Sequence, residues 1–294
     1  MKLLKILFAI FTLFLVLILS YLYLNTGFLQ KDKIDEKDLN YWKFDENGII
    51  KNADSFVLEG NNGKCIVMVH GYTSTPDELR IVAEAVNKEL NYTVYSPLLD
   101  GHGKVPSELQ KHSVDEWYKQ VSNFIKEKNC EFLLGSSMGA SLVLRYSEEN
   151  SNIKTVVLSG ILLKPEPSNL PMKDLARLLL PIGGYLKKSE PGATIDEPSL
   201  RKFHISTHSF PIKCALELLD FNDNVIKDLK KVKANVLFLH SHTDTVADFD
   251  SARNAFELLD TNKSFIEFKG DHIIFRDYEK EKAVETVLDF IDNY

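Results

Sequence analysis

Cysteine is scarce: the three in 294 residues, Cys65, Cys130 and Cys214, are far apart, which excludes a disulfide-stapled mini-protein and leaves no zinc-ligand spacing. Excess positive charge is missing too. With 35 Lys and Arg against 42 Asp and Glu, the net charge of −7 has the wrong sign for a nucleic-acid-binding face. Repeats and low-complexity tracts are absent, which excludes solenoids and disordered scaffolds. An odd number of cysteines, two of them inside apolar runs, reads as buried unpaired thiols. What remains, 44% hydrophobic and 26% charged, is enough for one sizeable core.

Long apolar runs are confined to one place. Residues 6–24 read ILFAIFTLFLVLILSYLYL, interrupted only by Thr12 and Ser20. At roughly 1.5 Å per residue such a run approaches the ~30 Å of a bilayer core. Lys2 and Lys5 precede it and Tyr21 and Tyr23 close it, the order of a positive-inside anchor with an interfacial aromatic belt. The expectation is a transmembrane anchor over 1–30, in contact with membrane lipid, with its N-terminus cytoplasmic and the remainder across the membrane. A signal peptide, cleaved to leave a secreted or periplasmic chain, is the alternative. It fits less well, because small residues of the A-x-A kind do not end the run.

From residue 64 short β-rich runs alternate with amphipathic helical patterns. Cys65–Val69, Thr93–Ser96, Glu131–Leu134, Thr155–Leu158, Asn235–Leu239 and Ser264–Phe268 read as buried strands. Asp77–Leu90, Val114–Lys126, Ala140–Glu149, Ser251–Leu259 and Glu279–Ile291 carry apolar residues three and four apart, as helices do. This alternation predicts an α/β fold for 31–294: a mostly parallel sheet flanked by helices, with Trp42–Leu58 supplying one or two antiparallel edge strands. Seven of the ten prolines fall between Pro165 and Pro211, so 161–214 reads as a cap insertion of short helices and loops.

The chemistry concentrates at Gly135-Ser136-Ser137-Met138-Gly139, between an apolar strand and a helical pattern. A serine on such a turn is a nucleophile held in a strained backbone. It needs a base, and the base needs a carboxylate to fix its tautomer. In a strand-turn-helix architecture the chain order is serine, acid, histidine. His272, after the last strand, is the candidate base, and Asp244, the first carboxylate after Asn235–Leu239, the candidate acid. Asp248 and Asp250 read instead as a solvated surface or a helix N-cap. The backbone N–H groups of Met138 and of Tyr72, in the loop His70-Gly71-Tyr72-Thr73, are the candidate oxyanion donors. Gly101-His102-Gly103 reads as a structural loop, and His204 and His208 as surface or substrate wall. No motif calls for a metal or a cofactor.

These motifs, with Ser96-Pro97, Asp100-Gly101-His102-Gly103, Trp117, Asp244-Thr245-Val246 and Gly270-Asp271-His272-Ile273, resemble the α/β-hydrolase superfamily. The likeness is specifically to the bacterial carboxylesterase and monoacylglycerol lipase group, near the serine aminopeptidase-like hydrolases. The resemblance covers about residues 65–294 and implies the same roles for Ser137, Asp244, His272, Tyr72 and Met138. Ala140 stands where the group often has glycine. Asp271 replaces a small residue, and its carboxylate is placed to raise the pKa of His272.

The insertion is rich in apolar residues, and Ile161, Leu163, Met172, Leu179 and Phe203 are the expected walls of an acyl groove. The expected activity is hydrolysis of small carboxylic esters, acylglycerol-like or lysophospholipid-like with short to medium chains, through an acyl-enzyme. A thioesterase or peptidase of the same fold, or an inactive tethered binding protein, is the alternative.

Overall fold

The computed structural model describes residues 2–26, 42–167, 177, 184–188, 194–207 and 209–294. Helix α1, Lys2–Thr26, opens the chain. Its side chains from Leu4 to Leu17 are exposed, Phe8 by 72%. Among the described residues no helix is long and apolar enough to cross a membrane, so the expected span is not among the structural findings.

Strands β1 (Phe56–Leu58), β2 (Cys65–Val69) and β3 (Thr93–Ser96) begin the sheet, with α2 (Arg80–Leu90) between the last two. A short α3 (Pro106–Gln110) leads to α4 (Val114–Lys128), then β4 (Phe132–Ser136), α5 (Met138–Glu149) and β5 (Thr155–Ser159). The cap follows with β6 (Tyr185–Lys187), α6 (Pro198–Arg201) and β7 (Ser209–Pro211), and α7 (Ile212–Asp228) then leads back to the sheet. Strand β8 (Asn235–Ser241), α8 (Phe249–Leu258), β9 (Lys263–Phe268) and α9 (Lys280–Asp292) complete the chain. The seven-stranded sheet runs β1-β3-β2-β4-β5-β8-β9, parallel except for the edge strand β1, and β6 pairs antiparallel with β7 outside it.

Period-two alternation divides the core as expected for strands covered on both faces. Val67, Val69, Leu133, Val156, Leu158, Val236 and Phe238 pack with Trp117, Leu142 and Leu218 of α4, α5 and α7. Their neighbours Ile66, Met68, Leu134, Val157, Leu237 and Leu239 pack with Val82 and Val86 of α2 and Val287 of α9. Helix α4 starts at a reciprocal capping box: Glu116 N–H donates to Ser113 Oγ, and Ser113 N–H to Glu116 Oε2 at 2.8 Å.

One sequence expectation needs correction. Cys65 and Cys130 are not free thiols but form a disulfide; only Cys214 is free, and it is buried. Cys65 opens β2 and Cys130 lies just before β4, and those strands pair with Ile66 opposite Phe132. That register brings together cysteines 65 positions apart in the chain.

Candidate active site

Every part of the site stands at the carboxyl ends of the parallel strands. Ser137 sits between β4 and α5 at φ 52° and ψ −114°, a conformation that costs on the order of 1–3 kcal/mol for a non-glycine residue. The flanking glycines make the turn fit. A Cβ on Gly135 would stand 2.3 Å from Gly139 O, and one on Gly139 would stand 2.1 Å from Val69 O. The turn is pinned by Ser137 N–H donating to Ser159 O at 2.8 Å. Ser137 itself is buried beneath the cap rather than open to solvent.

Asp244 and His272 arrive from the loops after β8 and β9. Ser137 Oγ lies 2.8 Å from His272 Nε2, and His272 Nδ1 lies 2.8 Å from Asp244 Oδ2. The carboxylate beside Nδ1 assigns the proton there and leaves Nε2 to accept from the serine hydroxyl. Asp244 Oδ1 accepts from the N–H groups of Val246 and Ala247 at 2.8 Å each. The acid loop is tied down in turn: Glu166 N–H donates to Val246 O, and Asp248 N–H to Lys164 O. Asp248 is the N-cap of α8, accepting from Asp250 and Ser251, as expected.

The electrostatics follow from burial and charge. Burial pushes the Asp244 carboxyl up, but the charge and hydrogen bond of His272 outweigh it and hold the group below the usual carboxylate range. For His272 burial works downward and is outweighed first by Asp244 and then by Asp271, so its pKa is raised. Asp271 is itself buried, which raises its pKa, and it accepts from Thr245 N–H at 2.8 Å. A base must be neutral to take the serine proton. Asp271→Asn removes an anion that favours the imidazolium, and the acid limb of the pH profile of kcat/KM is expected to move to lower pH. An unmoved limb would leave Asp271 with a purely structural part.

Gly71 is packed on the nucleophile: a Cβ there would stand 3.2 Å from Ser137 Cβ. The next residue, Tyr72, and Met138 at the head of α5 are thereby placed beside the serine. His70 Nδ1 donates to Gly71 O at 2.9 Å and its Nε2 accepts from Leu99 N–H at 3.2 Å, which requires a neutral ring. Burial pushes the His70 pKa down to about 4. His102, edge-on to His70 and Trp117, is likewise buried and belongs to this structural cluster.

A cavity of about 400 Å³ lies over the triad. Its apolar walls are Leu162, Leu186, Phe210, Ile212, Leu216 and Leu219, and the last three come from α7. The expected wall residues fare differently. Ile161 and Leu163 are fully buried in the core beneath the site. Phe203 is 55% exposed and does not line the cavity. Met172 and Leu179 lie outside the described residues, as does His208, whereas His204 does line the cavity. Sequence reading also passed over Asp277. Its buried carboxylate accepts from the N–H groups of Asp271, Asp196, Glu197 and Tyr278, tying the His272 loop to the cap. Nothing in the motif marks it. Among the described residues no group of His, Cys, Asp and Glu is arranged to hold a metal ion.

The model of the Serine aminopeptidase, S33, family of α/β hydrolases matches residues 60–279. The chain belongs to this family. It is an esterase/lipase-like serine hydrolase of the carboxylic ester class, and its relatives are distant ones. The hydrolase is 25% identical over 252 residues to the thermostable monoacylglycerol lipase of Bacillus sp. (strain H-257), covering 82% of this chain and 95% of that one. It is 22% identical over 248 residues to the carboxylesterase of Bacillus subtilis (strain 168), covering 81% and 95%. Among solved structures, the monoacylglycerol lipase of Paleococcus ferrophilus superposes with a TM-score of 0.71 at 26% identity, covering 80% of the hydrolase and 96% of that chain.

Proposed function

We propose that this hydrolase cleaves carboxylic esters with a lipid-like acyl chain through an acyl-enzyme on Ser137. The observation that carries this reading is a 2.8 Å Ser137–His272 contact on the floor of a cavity of about 400 Å³ with apolar walls. Ser137 Oγ attacks the carbonyl carbon while His272 Nε2 takes its proton. The N–H groups of Tyr72 and Met138, the latter at the head of a helix, hold the negative oxygen of the tetrahedral intermediate. Collapse breaks the bond to the alcohol, which leaves with the proton from His272. Water then attacks the acyl-enzyme in the same way, and the acid departs.

α1 is proposed to tether the enzyme in lipid, with the catalytic domain outside the cytoplasm. Three features support this: the exposed apolar side chains of α1, the lysines in its first two turns, and the Cys65–Cys130 disulfide, a bond that persists in oxidising compartments.

One assay tests both. Over a series of esters of one alcohol, kcat/KM should climb with acyl length into the medium range, each methylene contributing roughly 1–3 kcal/mol while the pocket is filling. A steady fall beyond two to four carbons contradicts the lipid-like acyl chain. Run on intact cells with a substrate that does not cross membranes, the assay should retain its activity. Activity that appears only on lysis overturns the extracytoplasmic placement.

A further inference from the structure

One end of the cavity is polar. Glu78 lines it and is 2% exposed, and neither carboxylate oxygen has a hydrogen-bond partner among the described residues. Ser74 Oγ and His204 Nδ1, also on this cavity, are buried and unpartnered as well. Leaving such groups unmet in a folded protein costs about 1–3 kcal/mol each, more for a charge, so a cluster of them beside one cavity points to something that enters it. The cluster adjoins the reacting centre. A Cβ on Gly71 would be 3.2 Å from Ser137 Cβ and 3.4 Å from Glu78 Oε2, so one small group separates the carboxylate from the nucleophile.

The character of the end is mixed. Glu78 can only accept when ionised, and the Lys188 ammonium, which donates to Thr73 Oγ1 at 2.7 Å, can only donate. Ser74 and Thr73 offer hydroxyls. Burial holds the His204 pKa well below its ordinary value, so its ring is neutral. An anionic headgroup would meet Glu78, and a cationic one would meet Lys188. Hydroxyl groups, which both donate and accept, suit all of them.

Resting on the ester-hydrolase reading above, we infer that Glu78 is a specificity-determining residue that selects the alcohol half of the ester: a neutral alcohol bearing further hydroxyls. In the bound ester these hydroxyls donate to the Glu78 carboxylate while the acyl chain lies along the α7 wall.

The test holds the acyl chain constant and varies the alcohol among glycerol, a monohydric alkyl alcohol of similar size, and glycerophosphate. The quantity read is the ratio of kcat/KM values. The wild type should favour the glycerol ester over both others, and Glu78→Gln should cut the glycerol-to-alkyl ratio by about tenfold, the effect of losing a charge-assisted hydrogen bond. Glu78→Leu should cut it further, and both variants should narrow the discrimination against glycerophosphate. Labelling of Ser137 by a fluorophosphonate confirms that a variant is folded. A wild type that shows no glycerol preference, one that cleaves the glycerophosphate ester as readily, or variants with an unchanged ratio overturn the inference while leaving ester hydrolysis intact. Absence of hydrolysis of all three esters overturns the underlying reading instead.

Discussion

Ser137→Ala is expected to lower kcat on any ester substrate by roughly a millionfold, the scale on which removing the nucleophile of a Ser-His-Asp unit acts. Among the described residues no other group is placed to take over. Within the cavity lining the other hydroxyls are Tyr72, Thr73, Ser74, Thr194 and Thr245, and Ser137 is the one with its oxygen 2.8 Å from His272 Nε2. Alanine at 137 keeps the Cβ that abuts Gly71, so the fold should persist and the melting temperature should change little. A fluorophosphonate should label the wild type and not the variant. Undiminished labelling or turnover in Ser137→Ala removes the serine from the mechanism.

Asp244→Asn should act almost as strongly by a different route, lowering kcat about ten-thousandfold through the wrong imidazole tautomer. Asp244 Oδ1 is committed to the N–H groups of Val246 and Ala247, so the amide oxygen of an asparagine takes that side. Its NH₂ then faces His272 Nδ1, where a second donor has no acceptor unless the ring proton moves to Nε2. With that proton in place Nε2 cannot receive the one from Ser137. The signature is a loss in kcat much greater than any change in KM, with the folded state retained. An equal loss in thermal stability and kcat would instead assign Asp244 to holding the loop.

The parallel strands were legible in the sequence because each is a short apolar run bounded by turn residues, and a strand buried on both faces has no other composition. The nucleophile turn was legible because only glycine fits at 135 and 139, where a Cβ would collide with backbone. The acid and base followed from chain order. Side-chain facing was harder. Ile161 and Leu163 were expected on the cavity, yet Leu162 faces it and its two neighbours face the core. In an extended segment a one-residue error in register exchanges the faces, and composition alone does not set register. Helix α7 escaped notice because Pro211 stands immediately before it, at its N-cap, and a proline there starts a helix as readily as proline elsewhere forbids one. The Cys65–Cys130 pairing depends on the order of strands across the sheet, β2 beside β4, which chain order does not reveal.

The hydroxyl of Tyr72 donates to Pro211 O at 2.7 Å, and Thr207 N–H donates to Thr73 O at 3.2 Å. The loop that presents the proposed oxyanion donor is thus fastened, by side chain and by backbone, to the stretch of cap leading into α7. Any swing of that stretch wide enough to admit a substrate strains or breaks these two bonds and releases Tyr72 from its station beside Ser137. A displacement of that stretch would therefore reach the reacting centre through Tyr72, and would leave the Met138 N–H as the remaining proposed donor to the charge that cleavage creates.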